Sequence, residues 1–124
     1  ERGYARPDFD DAAWSEVKTF SAPLNAQGLP DRRTIQWYRC AFKAPPAGKK
    51  LSLLLLEVDG DATVYVNGKE TGKSAKKRTP FEVDITDAVS PGNNVLAVRV
   101  DHSAITELFL GGIIRPIYLV EKAP

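Results

Sequence analysis

Short apolar segments that alternate with polar residues run through most of the chain, and clusters of Gly, Pro, Asn and Asp separate them. Alternation with period two is typical of strands that bury one face, and no long stretch has the spacing of an amphipathic helix. The predicted strands are 16–20, 36–43, 50–58, 62–66, 81–86, 96–100 and 113–121. About seven or eight strands suffice for two packed sheets, so the pattern predicts an all-β antiparallel sandwich.

Two turns are marked by residues with special backbone preferences. Asn67 and Gly68 form the Asn-Gly signature of a two-residue hairpin turn that needs positive φ. The Asp-Gly-Asp cluster at 59–61 predicts a second tight hairpin, which would pair the Leu-rich strand 50–58 with the strand 62–66. The sequence therefore predicts two hairpins in the middle of the chain.

The sequence also predicts the structure of three further segments. The residues 10–14 predict a capped helical turn that delivers Trp14 to the core. Cys40 alternates with apolar residues on the strand 36–43, so we expect an inert core thiol. The segment 21–34 is long and loop-like, and function tends to lie in such segments.

The length of the chain limits the number of domains, and its charge limits the kinds of partner. A chain of 124 residues fits one core, so residues 1–124 are expected to form a single domain. The absence of an initiator Met suggests a piece of a longer multidomain protein. The 17 basic and 16 acidic side chains nearly cancel, which indicates neither nucleic acid nor membrane as a partner. The longest apolar run is far shorter than the roughly 20 residues of a membrane-spanning helix.

Candidate catalytic chemistry is sparse. With one His and one Cys, and without a G-x-S-x-G turn, the sequence favours neither a nucleophilic triad nor a zinc site. No catalytic residue and no required cofactor are predicted. Aspartates at turns and strand ends are interpreted as backbone caps, and a structural calcium ion is the alternative. These aspartates are Asp59, Asp61, Asp84, Asp87 and Asp101.

Aromatic side chains are the strongest candidates for ligand contact, because a ring face suits the C–H face of a sugar. Core packing is the first interpretation for each aromatic residue; Trp37, which lies opposite the Tyr38 face of its strand, and Phe109, which lies in a predicted loop, are the best candidates for sugar contact instead. The basic run 73–78 is interpreted as a solvated turn, with an acidic polymer as the alternative. The candidate ligand-binding residues are Trp37, Arg39, His102, Glu107 and Phe109.

Six segments in order resemble the N-terminal sugar-binding domain of glycoside hydrolase family 2, which includes β-galactosidases, β-glucuronidases and β-mannosidases. They are DFDDAAW, WYRCAF, VYVNGKETG, TPFEVDIT, PGNNVLAVRV and GGIIRPIYL, between Asp8 and Leu119. The resemblance implies a galactose-binding-like jelly roll. It also implies that catalysis belongs to a TIM barrel elsewhere in the parent enzyme. Carbohydrate and the other domains of that hydrolase are then the expected partners.

The resemblance further implies that the loops 21–36 and 101–111 reach the active-site mouth and help to hold the terminal sugar, with Glu107 as the nearest acidic candidate. Arg115 is expected to be a partly buried cation paired with Asp84 or Asp101. After the VNG turn the chain departs from the family, since the basic KSAKKRTPF replaces a Gly- and aromatic-containing stretch. The motif residues with a structural interpretation are Trp14, Tyr38, Asn67, Gly68, Asp84, Gly112 and Arg115.

Three functions therefore compete. The first is a noncatalytic accessory domain of a family 2 type hydrolase, the second a free-standing carbohydrate-binding module, and the third a protein-interaction domain. Exposure of Trp37 and Phe109 discriminates among them. A periplasmic or secreted bacterial location is expected for polysaccharide breakdown, with the cytoplasm as the alternative.

Overall fold

The computed structural model describes residues 3–19, 24–29, 34–46, 48–76, 78–103 and 112–123. Within these ranges strands dominate and no α-helix occurs. The elements are a 3-10 helix at Leu24–Gln27 and the strands β1 Ile35–Ala44, β2 Lys50–Leu55, β3 Val58–Asp59, β4 Asp61–Val66, β5 Lys69–Ser74, β6 Phe81–Asp84, β7 Gly92–Asp101, β8 Gly112–Ile113 and β9 Ile117–Lys122. No helix among the described residues is long and apolar enough to cross a membrane.

Two antiparallel sheets form the body of the domain. One has the strand order β1-β7-β4-β5 and the other β6-β2-β9, while β3 pairs with β8. Alternate residues of β2, β4 and β7 point between the sheets and are buried, and Ser52 of β2 and Ala97 of β7 are buried on the opposite faces as well. The predicted antiparallel sandwich is confirmed. The buried apolar core is Leu51, Leu53, Leu55, Val58, Ala62, Val64, Val66, Val83, Ile85, Leu96, Val98, Val100 and Ile113.

The predicted Asn-Gly hairpin is confirmed and connects β4 to β5. Asn67 has φ 51° and Gly68 has φ 84°, as a type I′ turn requires at both central positions. The Asn67 side chain donates to the carbonyl of Ala88 (2.9 Å) and to Oδ1 of Asn94 (2.7 Å), and its Oδ1 accepts from the amide of Val95 (3.0 Å). Asn67 therefore joins the turn to Ala88, before β7, and to the first residues of β7.

The second predicted hairpin, at 59–61, is wrong, because β2 and β4 lie in different sheets. Asp59 belongs to β3 and pairs with Gly112 of β8. Gly60 has φ 137°, and a Cβ there would lie 2.7 Å from Cγ1 of Val100. The backbone at Gly60 is thus pressed against β7, and the chain crosses from one sheet to the other at this point.

The N-terminal segment differs from its prediction in part. The capped turn exists, since Ala12 N donates to Oδ1 of Asp10 (3.0 Å) and Trp14 N donates to the carbonyl of Asp11 (2.9 Å). Residues 16–19 form no strand, so that prediction is wrong for the part of 16–20 that is described. The backbone of Lys18 bonds instead to the side-chain amide of Gln27.

Two other expectations are corrected. Cys40 is exposed rather than a core thiol, because β1 is an edge strand. Strand β5 was not predicted, because its sequence KETGKS lacks the apolar alternation that indicates a strand. Its backbone pairing with β4 holds this polar edge in place.

Candidate functional site

The segments 21–36 and 101–111, which are expected to contact sugar, each have described residues at one end of the sandwich. Residues 30–33 and 104–111 lie outside the described residues, but their flanking residues are described. The amide of His102 donates to the carbonyl of Thr34 (3.0 Å), and Asp59 pairs with Gly112 across β3 and β8. We call the surroundings of Thr34, Asp59, His102 and Gly112 the β3–β8 end. Thr34, which follows residues 30–33, and the residues on both sides of 104–111 therefore lie there.

Two buried polar side chains, Asp59 and His102, underlie the β3–β8 end. Asp59 and His102 are each 1% exposed. Nδ1 of His102 lies 4.0 Å from Oδ2 of Asp59, and Nε of the partly exposed Arg78 lies 3.6 Å from Oδ1. A buried carboxylate is costly unless basic groups stand close to it. Asp59 thus links β3 electrostatically to the end of β7 and to the basic segment after β5.

Tyr38 and Gly112 fit together at the same end. The Tyr38 hydroxyl accepts from the amide of Ile113 (3.3 Å) and donates to Oε1 of Gln36 (3.3 Å). Burial raises the pKa of Tyr38 to about 12, against a smaller lowering by the Ile113 amide, so the hydroxyl stays neutral near pH 7. Gly112 has φ 82°, and a Cβ there would overlap this hydroxyl.

Ionised groups stand at the surface of the β3–β8 end. Asp101 accepts hydrogen bonds from the Ser103 hydroxyl and from the Ser103 amide (3.0 Å), and these bonds hold the pKa of Asp101 below its usual value. Arg115 is 64% exposed and pairs with Glu57 at 2.7 Å. The expected partly buried Arg115 with an aspartate partner is therefore wrong, since this arginine faces solvent.

Asp84 lies away from this end, on the exposed surface of β6. Its Oδ1 accepts from the amide of Thr86 (2.8 Å), and hydrogen bonding by Thr86 lowers the pKa of Asp84. Asp84 pairs in register with Ser52 of β2. Asp84 therefore caps a turn after β6.

Trp37 belongs to an aromatic cluster on the outer face of the four-stranded sheet. The cluster consists of Tyr4, Phe9, Trp14, Trp37 and Tyr65. Trp37 stacks on Tyr65 at 5.6 Å between ring centroids, and Tyr4 meets Trp37 edge-on at 5.8 Å and Trp14 at 5.4 Å. Trp14 thus packs in this outer cluster rather than in the core between the sheets, and the domain's own rings cover much of Trp37.

Arg39 holds the N-terminal segment against the same face. Its side chain is 3% exposed, and its Nε donates to Oδ2 of Asp11 at 2.7 Å. Nη1 donates to the carbonyls of Tyr4 (2.6 Å) and Arg6 (2.8 Å), and Nη2 donates to that of Phe9 (3.2 Å). The guanidinium also lies over the Phe9 ring, 5.4 Å from its centroid. Arg39 therefore fastens residues 4–11 to β1.

The structure separates the predicted ligand-binding residues into two regions. His102 lies beneath the β3–β8 end, whereas Trp37 and Arg39 lie under the N-terminal segment. Glu107 and Phe109 lie outside the described residues, so a sugar contact by any of these five stays a prediction. Sequence reasoning missed the buried position of Asp59, because Asp-Gly indicates a turn. The described residues contain no group of three or more His, Cys, Asp or Glu side chains that could hold a metal ion.

Comparison with known proteins finds relatives named as β-galactosidases and β-glucuronidases. A β-galactosidase of Thermoanaerobacter pseudethanolicus is 36% identical over 132 residues, which cover 90% of this chain and 18% of that protein. A putative β-glucuronidase of Formosa agariphila is 30% identical over 89% of this chain and 15% of its own length. The chain thus spans less than a fifth of these relatives.

Solved structures that resemble this chain include β-glucuronidases. A β-glucuronidase of Bacteroides uniformis is 31% identical with a TM-score of 0.80, covering 95% of this chain and 16% of that one. A calcium-binding mutant of Bacteroides uniformis β-glucuronidase 2 is 30% identical with a TM-score of 0.76, over 94% and 15%. Residues 25–108 match the family model described as glycosyl hydrolase 2 galactose-binding domain-like. The resemblance found in the sequence is thereby confirmed, and the chain belongs to the galactose-binding domain-like family of glycosyl hydrolase 2.

Proposed function

We propose that this chain is a noncatalytic accessory domain of a longer glycoside hydrolase, in which the β3–β8 end helps to shape the pocket for a terminal sugar. The observation that carries the proposal is that Thr34 of the segment 21–36 and His102 of the segment 101–111 meet at the β3–β8 end of the sandwich, beside Gly112. The proposal assigns catalysis to another part of the parent protein. The substrate class follows from the names of the relatives, a β-galactoside or a β-glucuronide.

The chemistry of the β3–β8 end suits this role. Sugar hydroxyls both donate and accept hydrogen bonds, so a pocket wall needs groups of both kinds. Asp101 and Glu57 are carboxylate acceptors, and the exposed Arg115 is a donor. Asp59 and His102 are buried next to these groups, with Nδ1 of His102 4.0 Å from Oδ2 of Asp59.

A free-standing carbohydrate-binding module would need an open aromatic platform. Trp37, the described candidate for such a platform, is half-buried and stacked on Tyr65. We therefore favour the accessory domain. We propose no calcium site within the described residues, and the cellular location of the parent protein stays a prediction.

The test compares two aspartates in the parent enzyme. Asp101→Asn weakens the cap at the start of segment 104–111, and we expect kcat/KM for an aryl β-galactoside or β-glucuronide to fall about tenfold. Asp84→Asn is the matched control, because Asp84 makes the same kind of cap with Thr86 on the other sheet. Equal losses in both variants would overturn the proposal.

The isolated chain provides the second arm of the test. We expect the 124-residue chain to hydrolyse neither aryl glycoside and to give no saturable heat with monosaccharides up to millimolar concentration. Hydrolysis by the isolated chain, or saturable binding that Trp37→Ala abolishes, would replace the proposal with an autonomous enzyme or binding module.

A further inference from the structure

We propose that Arg78 binds the carboxylate of a terminal uronic acid, so that the substrate of the parent enzyme is a β-glucuronide rather than a β-galactoside. The inference rests on the proposed function, because it places this sugar in the pocket at the β3–β8 end. Arg78 lies in the basic stretch KSAKKRTPF, where the chain departs from the family pattern.

The backbone holds Arg78 beside the β3–β8 end in a strained conformation. The amide of Arg78 donates to the carbonyl of Val58 in β3 (3.0 Å), and the amide of Thr79 donates to that of Lys76 (3.3 Å). Arg78 has φ 57°, and among the described residues Asn67 is the only other residue except glycine with positive φ. Asn suits that conformation, whereas Arg adopts it at an energetic cost. Such strain is frequent at ligand-binding positions.

Asp59 lies on the buried side of the Arg78 guanidinium. Asp59 is 1% exposed, whereas the Arg78 side chain is 39% exposed. Nε of Arg78 lies 3.6 Å from Oδ1 of Asp59, which is an ion pair without a hydrogen bond. The buried carboxylate therefore attracts the guanidinium from inside the domain and leaves part of it accessible to solvent.

The hydrogen-bond donors of Arg78 are not used by the described part of the chain. Arg39 and Arg115 each donate from Nε to a carboxylate at 2.7 Å. Within the described ranges the guanidinium of Arg78 has its contact with Asp59 and donates no hydrogen bond. A guanidinium has five N–H groups in one plane. These donors are satisfied by a ligand, or by water while no ligand is bound.

A carboxylate is the ligand that matches these donors. Two parallel N–H groups of a guanidinium bind the two oxygens of a carboxylate, and the opposite charges strengthen both hydrogen bonds. A glucuronide carries a carboxylate at C6, where a galactoside carries a neutral hydroxymethyl group. The geometry of Arg78 therefore favours the uronic acid.

The neighbouring charges also favour an anion at this position. The other two carboxylates of the β3–β8 end have basic partners: Glu57 pairs with Arg115 at 2.7 Å, and Asp101 lies 3.9 Å from Arg99. Lys76, in the same basic segment as Arg78, is exposed and forms no ion pair with any described residue. The segment thus carries an excess of positive charge, which attracts an anionic substrate.

The test uses the full parent enzyme and two substrates that differ only at C6, p-nitrophenyl β-glucuronide and p-nitrophenyl β-glucoside. We expect kcat/KM to be higher for the glucuronide than for the glucoside or the corresponding β-galactoside. Arg78→Gln should lower kcat/KM for the glucuronide at least about tenfold, mainly through KM, because the bound substrate already carries the carboxylate. The same variant should change kcat/KM for the neutral substrates less than about twofold.

Arg6→Gln is the matched control. It removes an exposed ion pair with Asp8, and Arg6 lies beside Gly68, at the end of β4 opposite to Asp59. This variant should leave kcat/KM for both substrates unchanged.

Two further variants separate binding from folding. Arg78→Gln leaves the carboxylate of Asp59 buried without this cation, which can unfold the domain. The double variant Asp59→Asn, Arg78→Gln removes both charges, so it should fold and show the same selective loss. Arg78→Lys keeps the charge but not the planar fork, and it should recover only part of the glucuronide activity.

Two results would overturn the inference: a parent enzyme that prefers the β-galactoside to the β-glucuronide, or equal losses on anionic and neutral substrates in Arg78→Gln and the double variant. The β-galactoside distinguishes this failure from that of the proposed function. A larger loss of its hydrolysis in Asp101→Asn than in Asp84→Asn supports the proposed function even where Arg78 has no role. A parent that hydrolyses none of the three glycosides refutes the proposed function, and the inference with it.

Discussion

Replacement of Arg39 by Met tests whether one guanidinium fastens the N-terminal segment to the sheet. The change removes four hydrogen bonds, to the carboxylate of Asp11 and to the carbonyls of Tyr4, Arg6 and Phe9. A hydrogen bond that involves a charged group contributes about 1.5–3 kcal/mol, but bonds from one group do not add. The Asp11 side chain is 46% exposed, so water weakens that ion pair. We therefore expect a loss of about 3 kcal/mol in the free energy of unfolding, a large part of the roughly 5–15 kcal/mol of a typical domain.

Urea unfolding followed by tryptophan fluorescence measures this loss directly, because Trp14 and Trp37 are the only two tryptophans and both belong to the aromatic cluster. Arg6→Met is the matched control. Arg6 pairs with Asp8 at 2.7 Å, but both side chains are about two-thirds exposed, so its removal should cost less than about 0.5 kcal/mol. Equal urea midpoints for the two variants would refute the reasoning.

Three further predictions concern the turns and the β3–β8 end. Gly112→Ala should lower the free energy of unfolding in urea by about 3 kcal/mol or more, because the added Cβ overlaps the Tyr38 hydroxyl. Gly92→Ala is the control: Gly92 has φ 86° but open space around it, so this change should lower the free energy of unfolding by only about 1 kcal/mol. Asn67→Ala should lower stability by about 2–3 kcal/mol through the lost side-chain bonds, and a variant as stable as the wild type would contradict that role. Because the pKa of Tyr38 is raised to about 12, stability should fall as pH rises from about 10 to 12, and Tyr38→Phe should flatten that slope in thermal denaturation.

The alternation of apolar residues was sufficient to predict the sandwich, because its central strands bury one face. Ala62, Val64 and Val66 are nearly inaccessible, as their spacing indicates. Strand β5 shows where this signal ends: it is held by backbone pairing, and its polar side chains carry no pattern. The crossing of the chain between the sheets at Gly60 could not be predicted for another reason. The dipeptide Asp-Gly occurs both in hairpin turns and where a chain passes from one sheet to another, so it does not distinguish the two.

Less of the candidate site could be predicted from the sequence, because its contacts join residues that are far apart in the chain. Arg39 meets carbonyl groups 30 to 35 positions away, and a backbone carbonyl has no sequence signature. Asp59 and His102 come together only through the pairing of β3, β4 and β7. The family resemblance pointed to the segments 21–36 and 101–111, and described residues of each, Thr34 and His102, lie at the β3–β8 end.

The register of the sheets also governs how this domain is made. Strand β1 pairs with β7, and β2 pairs with β9, so the paired residues are far apart in the sequence. Lys50, for example, pairs with Lys122. Such high contact order gives folding times of roughly milliseconds to seconds, whereas a ribosome adds only about 5–20 residues per second. The three-stranded sheet cannot be completed until β9 has left the ribosomal tunnel. During synthesis the edge of the Leu-rich β2 that pairs with β9 therefore remains unpaired for roughly several seconds, even after β6 has paired with its other edge.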